Sequence, residues 1–288
     1  MVRRGWFPAL CLTLALVGCR GEEAPVAESA GAEPPLTFAV LPYTSPSRIA
    51  ERFQPLAAYL EAGLGRRVKL HVSRDYAEPL RMLAEGRADL AYLGATGLIR
   101  LERRYPDGGG FRPLAAEAGY RAAVVVRRES PHEALTDLGD ETFAFGAYRS
   151  LSSHYAPRRL LADAGVHLAD LADYEFLHRQ GRVARSVIHG DYTAGAVNAA
   201  LAGRFTGEGG ELRVLAESGP LPPPAVVAGP ALSPGEADRV AALLREPLAG
   251  GRVPAYVPHF RAPDPDLMEV GRDHLRAVER PCPGEEGS

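Results

Sequence analysis

Between Leu36 and Arg104 the chain alternates short apolar runs with helically spaced ones, and this alternation limits the fold more than any other feature. Residues 36–41 are apolar and end at Pro42, which predicts a buried strand. Ile49, Phe53, Leu56, Ala57, Leu60 and Leu64 recur at helical spacing, and Gly65 closes the stretch. A strand over 68–72, a helix over 76–85 closed by Gly86, and a strand over 88–93 follow. Gly94-Ala95-Thr96-Gly97 then opens a helix that runs to about Arg104. Strand, helix, strand, helix, strand is the order of a parallel sheet covered by helices.

A second unit of the same kind follows. Residues 122–126, 142–145, 174–177, 194–197 and 212–216 read as strands, with helices over 131–138, 155–164 and 182–189. The chain leaves the first unit near Gly119 and returns through Gly219-Pro220-Leu221-Pro222-Pro223-Pro224. Two crossings between lobes are what a hinge requires. The expected fold is α/β in two lobes, each a mostly parallel sheet flanked by helices, with a ligand cleft between them. Residues 37–118 with 223–288 form lobe 1, and 119–222 form lobe 2.

The N-terminus reads as an export signal. Arg3 and Arg4 precede an apolar run over residues 6–17, too short for the roughly 20 residues that span a bilayer. It ends in Leu16-Val17-Gly18-Cys19, which resembles the bacterial lipobox. That resemblance implies cleavage after residue 18, a lipid on Cys19, and a protein held at a membrane surface in the periplasm or outside the cell. Residues 19–36 are poor in large apolar side chains and read as a flexible tether. Cys11 falls in the segment removed, so Cys282 is left without an intrachain partner.

Charge narrows the partners. The net charge is −3, and loss of residues 1–18 removes two arginines and no acids, leaving −5. That argues against a nucleic-acid partner. The histidines show no metal-ligand spacing, and no G-x-S-x-G, H-E-x-x-H, phosphate-loop or dinucleotide motif is present. No metal, no cofactor, no catalysis and a monomer are expected.

The strongest candidate for chemistry is Ser150-Leu151-Ser152-Ser153-His154, between a strand and a helix. Unpaired N–H groups at a helix start favour an oxyanion, and serine hydroxyls add donors. One of these serines serving simply as an N-cap is the competing reading. Tyr43-Thr44-Ser45, Thr96-Gly97 and Tyr76 also follow strands or open helices, where open α/β sheets bind ligands.

These segments together resemble the phosphate/phosphite/phosphonate-binding proteins of ABC transporters, a branch of the type II periplasmic binding-protein fold. The matching stretches are Leu41-Pro42-Tyr43, Asp75-Tyr76, Gly86-Arg87-Ala88-Asp89-Leu90-Ala91-Tyr92-Leu93-Gly94, Phe143-Ala144-Phe145-Gly146 leading to Ser150–His154, and Gly190-Asp191-Tyr192-Thr193-Ala194-Gly195. The resemblance implies lobes that close on a small oxyanion, with the closed form docking on a membrane permease. Carried over by position, it places Ser150 and Ser152 in an anion cradle, followed by Ser153 and His154, with Tyr43, Tyr76, Thr96 and Thr193 shaping the pocket. The chain departs from the family at Leu151, where a Thr is usual, at Thr193, where an Asp is usual, at Ala95-Thr96 and at Gln180-Gly181. Lost polar groups of this kind alter ligand choice, since an unmatched buried one costs roughly 1–3 kcal/mol. Two alternatives stand beside capture for an importer. One is a sensor on the same fold that reports occupancy to a membrane receptor or kinase. The other is a hydrolase built on Ser152 and His154.

Overall fold

The computed structural model describes residues 33–245 and 260–279. The expected signal segment, Cys19, most of the tether and Cys282 lie outside those residues.

Among the described residues, ten strands form two five-stranded sheets. The first sheet holds β1 (Leu36–Val40), β2 (Val68–Val72), β3 (Leu90–Leu93), β4 (Arg112–Ala116) and β10 (Ala225–Ala228) in the order β2-β1-β3-β10-β4. The second holds β5 (Ala122–Arg127), β6 (Thr142–Phe145), β7 (Asp173–Phe176), β8 (Ala194–Asn198) and β9 (Leu212–Glu217) in the order β7-β6-β8-β5-β9. In each sheet one strand runs against the other four: β10 in the first and β5 in the second. Each is the strand by which the chain arrives from the other sheet, so it starts at the end where the parallel strands finish and runs opposite to its two neighbours. The two passages lie between Ala116 and Ala122 and between Glu217 and Ala225. Gly119 supplies a left-handed turn in the first, at φ 68°.

Among the described residues, eight α-helices flank the sheets: α1 (Pro46–Leu64), α2 (Glu78–Ala84), α3 (Ala95–Arg104), α4 (Ala156–Asp163), α5 (Gln180–His189), α6 (Ala199–Ala202), α7 (Pro234–Arg245) and α8 (Pro265–Glu279). The sequence logic of α1 is visible in its packing. Its six periodic apolar residues are the buried ones, Ser45 is the N-cap, Pro46 opens the first turn, and Gly65 closes it in the left-handed region. Phe53 packs edge-on against Phe38 and Tyr92 at 5.9 and 4.9 Å between ring centres. Full burial of a side chain of that size contributes about 1.5–3 kcal/mol.

Leu36, where the expected tether and the expected first strand overlap, belongs to the strand, pairing with Val68 and fully buried. Two local expectations are corrected. The helix expected over 131–138 shrinks to a 3₁₀ turn at Leu135–Leu138, where Leu138 is buried and Leu135 packs partly buried against the same core. The helix expected from Tyr155 starts earlier, in a π-helical turn at Leu151–Tyr155 that leads into α4. α8 touches both lobes: Leu275 joins a cluster with Ile99 of α3 and with Leu151, Tyr155 and Ala156 of the second lobe.

Candidate functional site

The carboxyl ends of the parallel strands from both sheets converge on one cavity of about 60 Å³. A water needs at least about 10–15 Å³ of cavity, so the space suits a handful of waters or one small tetrahedral ion. The first lobe supplies Leu41 and Tyr43 after β1, Arg52 from α1, Tyr76 before α2, Tyr92 of β3, Gly94-Ala95-Thr96 at the start of α3, and Glu117 after β4. The second supplies Arg149-Ser150-Leu151 before α4, Gln180 at the start of α5 and Asn198 at the end of β8. Tyr120 and Pro224, from the two passages, complete the wall.

The polar wall is organised around an ion pair. Arg52 Nη2 donates to Glu117 Oε1 at 2.5 Å, Arg52 Nη1 donates to the Tyr43 hydroxyl at 3.0 Å, and the Tyr92 hydroxyl donates to the same Glu117 Oε1. Burial pushes the Glu117 carboxyl above its usual range, and Arg52 opposes that push. Burial also raises all four cavity phenols: Tyr43, Tyr76, Tyr92 and Tyr120, the last to about 12. They therefore keep their protons at neutral pH and serve as donors. Tyr43 already accepts from Arg52, so its own O–H is free to donate.

Backbone donors face the same space. Gly97 and Leu98 bond back to Gly94 O, which leaves the first N–H groups of α3, at Ala95 and Thr96, without intrahelical partners. Across the cleft, Ser150 Oγ accepts from Ser153 N at 3.3 Å as an N-cap, and Tyr155 N reaches Ser150 O. The Leu151 and Ser152 N–H groups have no backbone acceptor among the described residues. The Thr96 hydroxyl bridges the lobes by donating to Arg149 O at 2.5 Å.

Of the residues singled out from sequence, Tyr43, Tyr76, Thr96 and Ser150 line the cavity. Ser152 stands one bond behind it, its hydroxyl 2.7 Å from Tyr120 Oη and accepting from Gln180. The other three are placed elsewhere. Ser153 packs against Gly146, where no side chain would fit. His154 is turned into an aromatic cage of Phe145, Tyr148, Tyr155 and Phe176. Its Nδ1–H donates to Tyr148 O at 2.6 Å, and burial lowers its pKa to about 4. Thr193 precedes β8 at the end away from Asn198, bonding Glu141 and Thr142. Five strand steps of about 3.3 Å separate it from the cleft. The hydrolase reading falls with the same geometry, since Ser152 and His154 share no bond and face different partners.

Arg52, Glu117, Tyr120 and Asn198 carried no sequence signal of a site. Arg52 reads as an exposed helix residue, and Glu117 and Tyr120 as linker. Among the described residues no group of three or more His, Cys, Asp or Glu could hold a metal ion. No helix there is long and apolar enough to cross a membrane.

Comparison with known proteins agrees with this architecture. Residues 38–247 match the family of ABC transporter, phosphonate, periplasmic substrate-binding proteins, and the chain belongs to that family. Its members are substrate-binding proteins, not enzymes. The phosphate-import protein PhnD of Mycolicibacterium smegmatis is 24% identical over 164 residues, which are 55% of this chain and 51% of that protein. The chain thus spans about half the length of that curated relative. PhnD1 from Prochlorococcus marinus, solved in complex with methylphosphonate, superposes with a TM-score of 0.74 at 15% identity, over 84% of this chain and 97% of that one. A binding-protein component of an ABC phosphonate transporter from Pseudomonas aeruginosa gives 0.68 at 18% identity, over 84% and 85%. These likenesses show the fold, a two-lobed type II periplasmic binding protein.

Proposed function

We propose that this protein captures a small phosphorus oxyanion of the phosphonate, phosphite or phosphate type for an ABC importer. The observation that carries the reading is the cavity itself. It is small, it is shared by both lobes, and hydrogen-bond donors dominate its polar wall: phenols, Arg52 and helix-start N–H groups. Such preorganised donors suit an oxyanion because their dipoles are already aimed inward when the lobes meet. The lipobox-like Leu16–Cys19 segment supports a lipid anchor, which raises the protein's local concentration near a membrane permease.

Titration calorimetry against phosphate, phosphite, methylphosphonate and sulfate tests the reading. At least one phosphorus oxyanion binds, and Tyr43→Phe with Tyr76→Phe weakens it by about 0.5–1.5 kcal/mol per lost hydrogen bond. Absence of binding by every phosphorus oxyanion at millimolar concentration overturns it.

A further inference from the structure

A carboxylate in the wall of an anion cavity needs a reason. Glu117 is fixed at the end of β4, its N–H bonded to Pro224 O at 3.0 Å. Its Oε1 takes both protein donors, from Arg52 and Tyr92. Oε2 has no hydrogen-bond partner among the described residues, yet the residue lines the cavity. A lone acceptor beside a bound oxyanion is repulsive unless the ligand brings a proton to it. Arg52 is already engaged with this carboxylate, so Glu117 also cancels the cation nearest to it.

We propose that Glu117 is the specificity-determining residue of the cleft, with Oε2 accepting a hydrogen bond from a protonated oxygen of the bound oxyanion. The inference rests on the oxyanion-binding reading above. The ligand class it names is a phosphorus oxyanion that retains one P–O–H, bound as the monoanion with its ionised oxygens toward the donors of the opposite wall. Sulfate and sulfonates have the same shape but carry no such proton at neutral pH. They place an ionised oxygen against Oε2 and are rejected. Burial, which raises the Glu117 pKa, works in the same direction, because it favours sharing of a proton between carboxyl and ligand.

The test is a matched pair of ligands, methylphosphonate and methanesulfonate, on the full chain and on Glu117→Gln. The amide keeps an acceptor for Arg52 and Tyr92 and puts a donor where Oε2 stood. The unaltered protein should prefer the phosphonate by at least about tenfold, or 1.4 kcal/mol, and Glu117→Gln should lose most of that preference. 2-Aminoethylphosphonate and taurine form a second pair. Taurine binding as well as its phosphonate counterpart would show that the carboxylate accepts from an ammonium group, and would overturn the assignment to oxygen. Phosphorus NMR of bound methylphosphonate reads the unaltered protein directly. The bound signal should keep the monoanion shift beyond the pH at which the free ligand ionises, and a dianion shift overturns the inference. A preference unchanged in Glu117→Gln, or absent in the unaltered protein, also overturns it while leaving oxyanion capture intact. Binding of neither ligand strikes the proposed function itself.

Discussion

At the residue scale, His154 shows how identity and role separate. Its type and place beside three serines mark it as a ligand group, yet its ring is caged by aromatics and bonded to a carbonyl. A carbonyl only accepts, so Nδ1 carries the proton and Nε2 is buried without a partner. Protonating that nitrogen costs solvation that nothing nearby restores, and Arg158 adds repulsion. The folded-state pKa of about 4 lies below the ordinary 6.5. The stability linked to the neutral ring is therefore present above pH 6.5 and lost as pH falls toward 4, by up to about 3 kcal/mol. His154→Asn keeps a donor for Tyr148 O and cannot titrate. Urea midpoints should fall less steeply on acidification in that variant than in the parent, and parallel slopes would refute the assignment. Tyr43, Tyr76, Thr96 and Ser150 were legible because each sits where a strand ends or a helix begins. Glu117 and Arg52 were not, because their partners are 65 residues apart in sequence.

At the element scale, two pieces carry more than their length implies. The π-helical turn Leu151–Tyr155 fans its side chains to different places: Leu151 to the cavity wall, Ser152 to Tyr120, Ser153 to Gly146 and His154 to its cage. Such wide turns recur at functional sites. Read from sequence, this segment is a connection between strand and helix and encodes no such fan, so the three neighbouring candidates Ser152, Ser153 and His154 met three different fates. α8 is the second piece. A Cβ on Gly271 would lie 2.7 Å from the Pro222 ring and 3.1 Å from Ile99, so the helix seats directly on the return passage and on α3. Gly271→Ala gains about 1 kcal/mol of helix propensity but overpacks the contact at about 1–3 kcal/mol. Denaturation should show a net loss of stability. Gly181→Ala on α5, with nothing within 4 Å of its Cβ, should not lose any.

At the scale of the whole molecule, the lobes meet through contacts outside the cavity as well as around it. Arg100 of α3 donates to the Tyr155 hydroxyl at 3.1 Å, beside the apolar cluster that α8 completes. Tyr155 does not line the cavity, so its hydroxyl bears on ligand affinity only through the balance between joined and parted lobes. Tyr155→Phe should weaken oxyanion binding by up to about tenfold through a smaller competent population. Small-angle scattering of the liganded protein should still show the compact form, and unchanged affinity would show that this bond does not favour closure. By itself, the sequence determined the two α/β units, because local periodicity and turn residues encode strands and helices directly. Only the tertiary structure decided which side chains share the cavity. It brought Arg52, Glu117 and Tyr92 into one hydrogen-bonded group and left Thr193 at the far end of β8, because strand order and helix packing bring together residues that are distant in sequence, and no stretch of local sequence records that.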